Sequence, residues 1–316
     1  MATPCAAANC RKSSGNTLLL YPSGHVSHPP LLGSVGEPRV STPAMNLSTR
    51  SVIALTTGVF ASAGVGLAPT ANATCASVFG IGNSANCSST QTSVAIAIGP
   101  SATAHAFGNF DSAFAVGNAA GAWTYGVADS TFALGDNTIA DAGGYTTSAF
   151  GVSTAVGKGS TSQTYGFFSL AFSAHGKTSA GGSNSFGNAA IALGRTGVAS
   201  AGGTTGTGDL AIDAFGHGDV MAIGGAGNVA VNLGGSTVFV EARGNFNNAT
   251  NILGGGNSVL VGNAKPATGS WAFAVLGTGN AVQAEPGPVA VAGSILHHGV
   301  MITKQGPGFN INGVVA

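Results

Sequence analysis

Hydrophobic and polar positions in the middle of the chain alternate with period two inside a longer period of nine. Glycines stand at 99, 108, 117, 126, 135 and 144, and the units between them end in runs such as Ser112-Ala113-Phe114-Ala115-Val116 and Ser130-Thr131-Phe132-Ala133-Leu134. The sixth and eighth positions of these units are small (Ala104, Ala113, Ala122 and Thr131; Ala106, Ala115, Thr124 and Ala133), while the seventh and ninth carry Phe, Trp, Tyr, Val or Leu. Such alternation predicts a short strand after each glycine-led turn. The constant period predicts a repeat architecture. After Gly151 the spacing loosens, but strand-like runs at Ala189, Asn228, Ser236, Asn257, Trp271 and Pro288 carry the pattern to about residue 295. Gly-Asn pairs beginning at Gly187, Gly227, Gly244, Gly256 and Gly279 supply corners, because Gly and then Asn best tolerate left-handed backbone. The expected fold is all-β: a parallel β-solenoid, β-roll or β-helix, over 93–295, with coils of about 18 residues and about 11 of them. Residues 296–316 are expected to form a C-terminal tail.

Alternation by itself leaves two orientations open for the aromatic positions Phe114, Trp123, Phe132 and Phe150. Inward, they form a core and the alanines make a smooth outer sheet; outward, the core is a thin alanine stack and the rings form an oligomer or partner interface. Burying a ring is worth roughly 2 to 3 kcal/mol, and a long outward stripe exceeds what soluble monomers ordinarily expose. The inward arrangement is therefore expected.

Composition narrows the function more than the fold. Of 316 residues 52 are Gly and only 6% are charged, which is not the mixture of an ordinary enzyme. The hydrophobic fraction of 44% with zero formal charge argues against disorder, and the missing three-residue glycine period excludes collagen. After residue 73 nine acids face six bases, and no Lys or Arg lies between Arg50 and Lys158. The field needed to neutralise phosphates is absent there, so nucleic acid is not an expected partner.

Residues 45–73 have the layout of a secretory signal: Arg50, an apolar stretch from Val52 to Leu67, and Ala71-Asn72-Ala73 as a small-x-small site with cleavage after Ala73. The apolar stretch is short of the roughly 20 residues that span a bilayer, so no transmembrane anchor is expected. Met45 is read as the true start and 1–44 as a spurious or disordered extension. In an exported chain Cys75 and Cys87 are expected to form a disulfide that ties down the segment 74–92. The expected location is extracellular or the cell envelope.

The string SVAIAIGPSATAHAFGNFDSAFAVGN, from Ser93 to Asn118, resembles the Ser-x-Ala-x-Gly repeats in the heads of trimeric autotransporter adhesins. That resemblance implies a parallel β-roll in a surface-exposed trimer that binds host matrix or other cells. The chain departs from the family in having neither a heptad stalk nor a C-terminal block of amphipathic anchor strands. GGAGN at Gly224 and GGGN at Gly254 resemble the glycine pattern of calcium-binding nonapeptide rolls, but Asn or Val replaces the ligand Asp. Calcium needs such carboxylates, and no cofactor is expected.

The most charged stretch of the repeat is Gly208 to Val220. Asp209, Asp213, His217 and Asp219 all take odd positions there, and on one strand face they could converge like the acid clusters of polysaccharide-acting β-helix enzymes. Solvated positions on an outward face are the simpler reading. His297 and His298 are adjacent, point oppositely on a strand and cannot share a metal. The sequence holds no nucleophile elbow, phosphate loop or Cys-x-x-Cys pair. Thr103, Ser112, Gly121, Ser130 and Ile139 do not supply the threonine ladder of an ice-binding face. The expected function is a secreted, non-enzymatic scaffold or surface interaction protein that meets an unidentified envelope or surface component and has scope to homo-oligomerise. A polysaccharide-acting enzyme using Asp209 to Asp219 is the alternative.

Overall fold

The structure is a computed structural model that describes residues 74–315, apart from 144–147, 216 and 263–266. The extension 1–44, the signal 45–73 and its cleavage site at Ala71 and Ala73 lie outside the described residues. Among those described there is no helix, and the strands stack into a β-solenoid of about 11 turns.

Each coil contributes one strand to each of two sheets. Val94–Ile98 lies in the first, sheet A; a corner leads to Thr103–Ala106 in the second, sheet B; a second corner returns the chain to Ser112–Val116 in sheet A. Equivalent strands pair in parallel and in register, Ile96 with Phe114 and His105 with Trp123. The two ends are closed differently from the middle. Thr74–Val78 runs antiparallel along Val94–Ile98, and the Cys75–Cys87 disulfide joins it to Cys87–Ser89 of sheet B. At the other end Val314–Val315 folds back antiparallel on Gly308–Ile311. Both devices cover edges that would otherwise offer unpaired backbone to another chain. The coil pattern also outlasts its sequence signature: Met301–Lys304 pairs in parallel with Ala281–Ala284, and Gly308–Ile311 with residues 290–293. Residues 296–315 thus continue the coil and fold back on it, where a tail was expected for 296–316. Their strands lack the alanine columns by which the earlier ones are recognised.

The core overturns the expected orientation of the aromatics. Ala95, Ala97, Ala113, Ala115, Ala133 and Ala155 of sheet A face Ala104, Ala106, Ala122 and Ala140 of sheet B, all fully buried. The largest fully buried side chains are Val and Asn. Corners as short as two residues join the sheets, which lie so close that a single hydroxymethyl group bridges them: Ser153 Oγ of sheet A donates to the Ser162 carbonyl of sheet B at 2.7 Å, and Ser162 Oγ donates back to the Ala171 carbonyl at 2.9 Å. No phenyl ring fits that gap. Phe114 and Phe132 project outward from sheet A, Trp123 outward from sheet B, and Phe150 sits at a corner with φ 59° and half its surface exposed. A nine-residue unit advances half a coil, so the apparent column divides between two sheets. The rings regain cover from their neighbours along the ladder, as where Phe114 and Phe132 stack at 5.3 Å between centroids.

Candidate interaction face

Because the alanines take the inner positions, the large apolar residues of sheet A take the outer ones. Three columns run up the sheet. The middle column reads Ile96, Phe114, Phe132, Thr154, Phe172, Ile191, Ile212, Val231, Thr250 and Phe273 in successive coils. The third, from Ile98 through Val116, Leu134, Val156, Leu193, Leu233, Ile252 and Val275 to Ile295, contains only Val, Ile, Leu and Ala. No outward position on the described strands of this sheet is charged. Five-residue strands about 15 Å long, stacked at about 4.8 Å over ten intervals, give an uncharged, mostly apolar face of about 700 Å², interrupted by Ser112, Ser130, Thr154, Asn248 and Thr250. The largest patch on a typical monomer is about 300 to 600 Å².

The corners extend this face. The residue two positions before most sheet A strands has positive φ, and in different coils it is Phe110, Ala128, Phe150, Phe168, Gly187, Gly208, Gly227, Phe246, Gly269 or Gly306. Glycine satisfies the geometry at no cost, whereas an L-residue there loses roughly 1 to 2 kcal/mol. Phenylalanine at four of these corners is therefore not explained by the backbone. Phe150 and Phe168 stack at 4.8 Å, Phe186 follows at 5.3 Å, and all three are about half exposed. At the opposite corner Phe215, Leu253, Leu276 and Leu296 repeat the device. Sheet B differs: its outer positions include Thr103, His105, Asp141, Gln163, Lys177, Asp219, Glu241 and Thr303.

The acidic stretch does not form a site. Asp209 and Asp213 point into the coil and are buried, while His217 and Asp219 are exposed at the start of a sheet B strand, His217–Ala226. Odd positions are inward on Leu210–Ala214 and outward after it, because the positive-φ corner at Phe215 resets the alternation. The two buried acids belong to ladders that sequence reasoning missed. In most coils the residue before the sheet A strand turns inward and its side chain accepts a hydrogen bond from a backbone N–H one coil on. Ser93 Oγ accepts from Asp111 N at 3.0 Å, and Asp111 Oδ1 from Asp129 N at 3.0 Å. Asn188 Oδ1 accepts from Asp209 N at 2.9 Å, Asp209 Oδ1 from Asn228 N at 2.8 Å, and Asn228 Oδ1 from Asn247 N at 3.2 Å. A second ladder links Asp213, Asn232 and Asn251 through side-chain amides at 2.8 Å. The Ser, Asp or Asn that recurs ahead of most sheet A strands was the available signal. Burial raises the pKa of Asp209 against the hydrogen bonds from Asn228, and raises that of Asp129 to about 6 against those from Ser148 and Gly151. These carboxyls are structural partners of the corners. His298 and Thr278 are joined at 2.7 Å, and His297 binds the Ile295 carbonyl. Among the described residues no three His, Cys, Asp or Glu side chains gather as a metal site.

Comparison with protein-family models, curated proteins and solved structures finds no match to this chain.

Proposed function

We propose that this is a secreted, non-enzymatic scaffold or surface interaction protein of the cell envelope or its surroundings, assembled by pairing the sheet A face with a second copy of the chain. The observation that carries this reading is the uncharged apolar face. Its area is close to the roughly 800 Å² that each partner contributes to a standard stable interface. An isologous pairing of identical surfaces satisfies both copies at once. The adhesin-like string Ser93–Asn118 points toward surface contact as well, and the Cys75–Cys87 disulfide suits an oxidising compartment.

Sedimentation of the wild-type chain and an Ile212→Lys, Val231→Lys double variant tests the proposal. The wild type should associate at micromolar concentration. The variant should be monomeric with thermal unfolding shifted by less than about 3 °C, since both sites are outward. A wild type that stays monomeric throughout the range overturns the self-assembly.

A further inference from the structure

From the corners between sheets A and B we infer a binding notch for a small ligand carrying two or three phosphate or sulfate groups. Three consecutive coils define it. The corner between Val152–Val156 and Thr161–Thr164 has four residues, as does the one between Ala189–Leu193 and Val198–Ala201. The corner between them, from Leu170–Ala174 to Lys177–Ala180, has only two, His175 and Gly176. The strands on both sides are in register, Val156 with Ala174 and Leu193, and Thr161 with Lys177 and Val198. The short corner is therefore recessed between two full ones, leaving a cavity of about 570 Å³.

Cations come to this recess from all three coils: Lys158 from the first corner, Lys177 from the floor and Arg195 from the third, with His175 and Thr196 adding polar groups. They are half of the six Lys and Arg that follow residue 73. The His175 ring lies over Gly157, where any β-carbon would come within 2.4 Å of it, so the neighbouring corner leaves room for the imidazole. An Arg presents a planar fork for oxyanions and Lys a mobile point charge, and together they favour phosphate or sulfate. The positive charge is bounded along the axis. The next corner toward the N-terminal end bears Asp136, whose carboxylate accepts from Asn118 N, and the position beyond Val198 is Asp219. This confines the ligand to about three coils and disfavours a long polyanion. The cations recur once per coil, about 4.8 Å in rise, a spacing suited to charges on adjacent units of one small molecule.

Titration calorimetry of the full chain with inorganic tripolyphosphate and, separately, a disulfated disaccharide tests the site and distinguishes phosphate from sulfate. At low salt at least one probe should bind, with affinity falling as salt rises. Arg195→Ala and Lys177→Ala should each weaken binding about tenfold or more, whereas Lys304→Ala, outside the notch, should leave it unchanged. Inserting Gly-Ser after His175 lengthens the short corner to four residues and keeps every cation, and it too should abolish binding. Circular dichroism of each variant confirms the fold. Absence of binding by both probes, equal weakening by Lys304→Ala, or tighter binding of a long polyphosphate than of the tripolymer overturns the inference. Each result is independent of whether sheet A mediates self-assembly.

Discussion

The two sides of sheet A reverse the usual distribution of size and polarity. The inner side carries Ala, Ser, Thr, Asn and Asp, fully buried and laced by hydrogen bonds; the outer side carries mostly Ile, Leu, Val, Phe and Trp, with a few Ala, Ser, Thr and Asn between them. What separates them is space, not hydrophobicity. The close approach of the sheets admits only small groups, and those groups stabilise the coil by stacking and by ladders of hydrogen bonds worth on the order of 1 kcal/mol each. Bulk that the interior cannot accept is left outside, where it contributes to stability only through lateral contact. Sheet B shows that the outside need not be apolar, since the same narrow interior is built there beneath Thr, Gln, Lys and Asp. The apolar face of sheet A is therefore not required by the fold, which is why it is read as an assembly surface.

The comparison breaks most sharply if bulk is moved inward. Ala190→Leu places three more carbons where Ala211 and Ala171 already close the column. It should cost about 3 kcal/mol, the upper part of the range for overpacking, and the loss should pass to adjoining coils because each rests only on its neighbours. Urea unfolding measures both. The same exchange on the outer side, Ala189→Leu, should cost less than about 0.5 kcal/mol. If the two are equal, the two sides are not distinguished by space.

This asymmetry also marks what could be read from the sequence. The nine-residue glycine period and the alternation gave the strands, the corners, the solenoid and, with the cysteine pair, the N-terminal tie. They could not say which side is inside, since alternation is unchanged when the two faces are exchanged. The telling residues were the small ones: Ala at both inner positions of strand after strand, with Ser153 and Ser162 among them, indicates a gap one side chain deep. Assuming that Asp209, Asp213, His217 and Asp219 shared one face failed for a different reason, because the left-handed corner at Phe215 lies between the two strands and changes the phase. The notch at His175 depends on a corner shorter than its neighbours, and that shows only once strand ends are aligned in space.

A second test addresses charge on the inner side. Asp129 is buried, with Gly151 N at 2.6 Å from Oδ1 and Ser148 Oγ at 2.6 Å from Oδ2, and burial lifts its pKa to about 6 from an ordinary 3.8. The native state thus holds the proton more tightly than the unfolded chain. Its contribution to stability is greatest below pH 4, falls as pH rises toward 6, and stays low above it. A shift of this size corresponds to about 2 to 3 kcal/mol. Asn is the residue that the same ladder uses at 188, 228 and 247, and it keeps the acceptor for Gly151 N. Asp129→Asn should therefore stabilise the chain by about 2 kcal/mol at pH 8, give no gain at pH 4, and flatten the profile between them in unfolding measurements. A variant less stable than wild type at pH 8 would mean that the ionised carboxylate is a favourable partner of the corner.

Only a small effect on stability is expected where sequence reasoning placed a large one. Phe132 is 37% exposed and rests on Phe114 at 5.3 Å. Phe132→Ala removes one stacked pair, a loss of about 1 kcal/mol. Emptying an aromatic site in a packed core costs about 3 to 5 kcal/mol, so the two placements are well separated by urea unfolding. Self-association should respond more strongly than stability, because the ring stands in the middle column of the face and its removal leaves a dent opposite the second copy. A weaker dimer with nearly unchanged unfolding supports the division between a narrow interior and an adhesive exterior. A loss of 3 kcal/mol or more with association intact would return Phe132 to the core and leave the outer face of sheet A without a role.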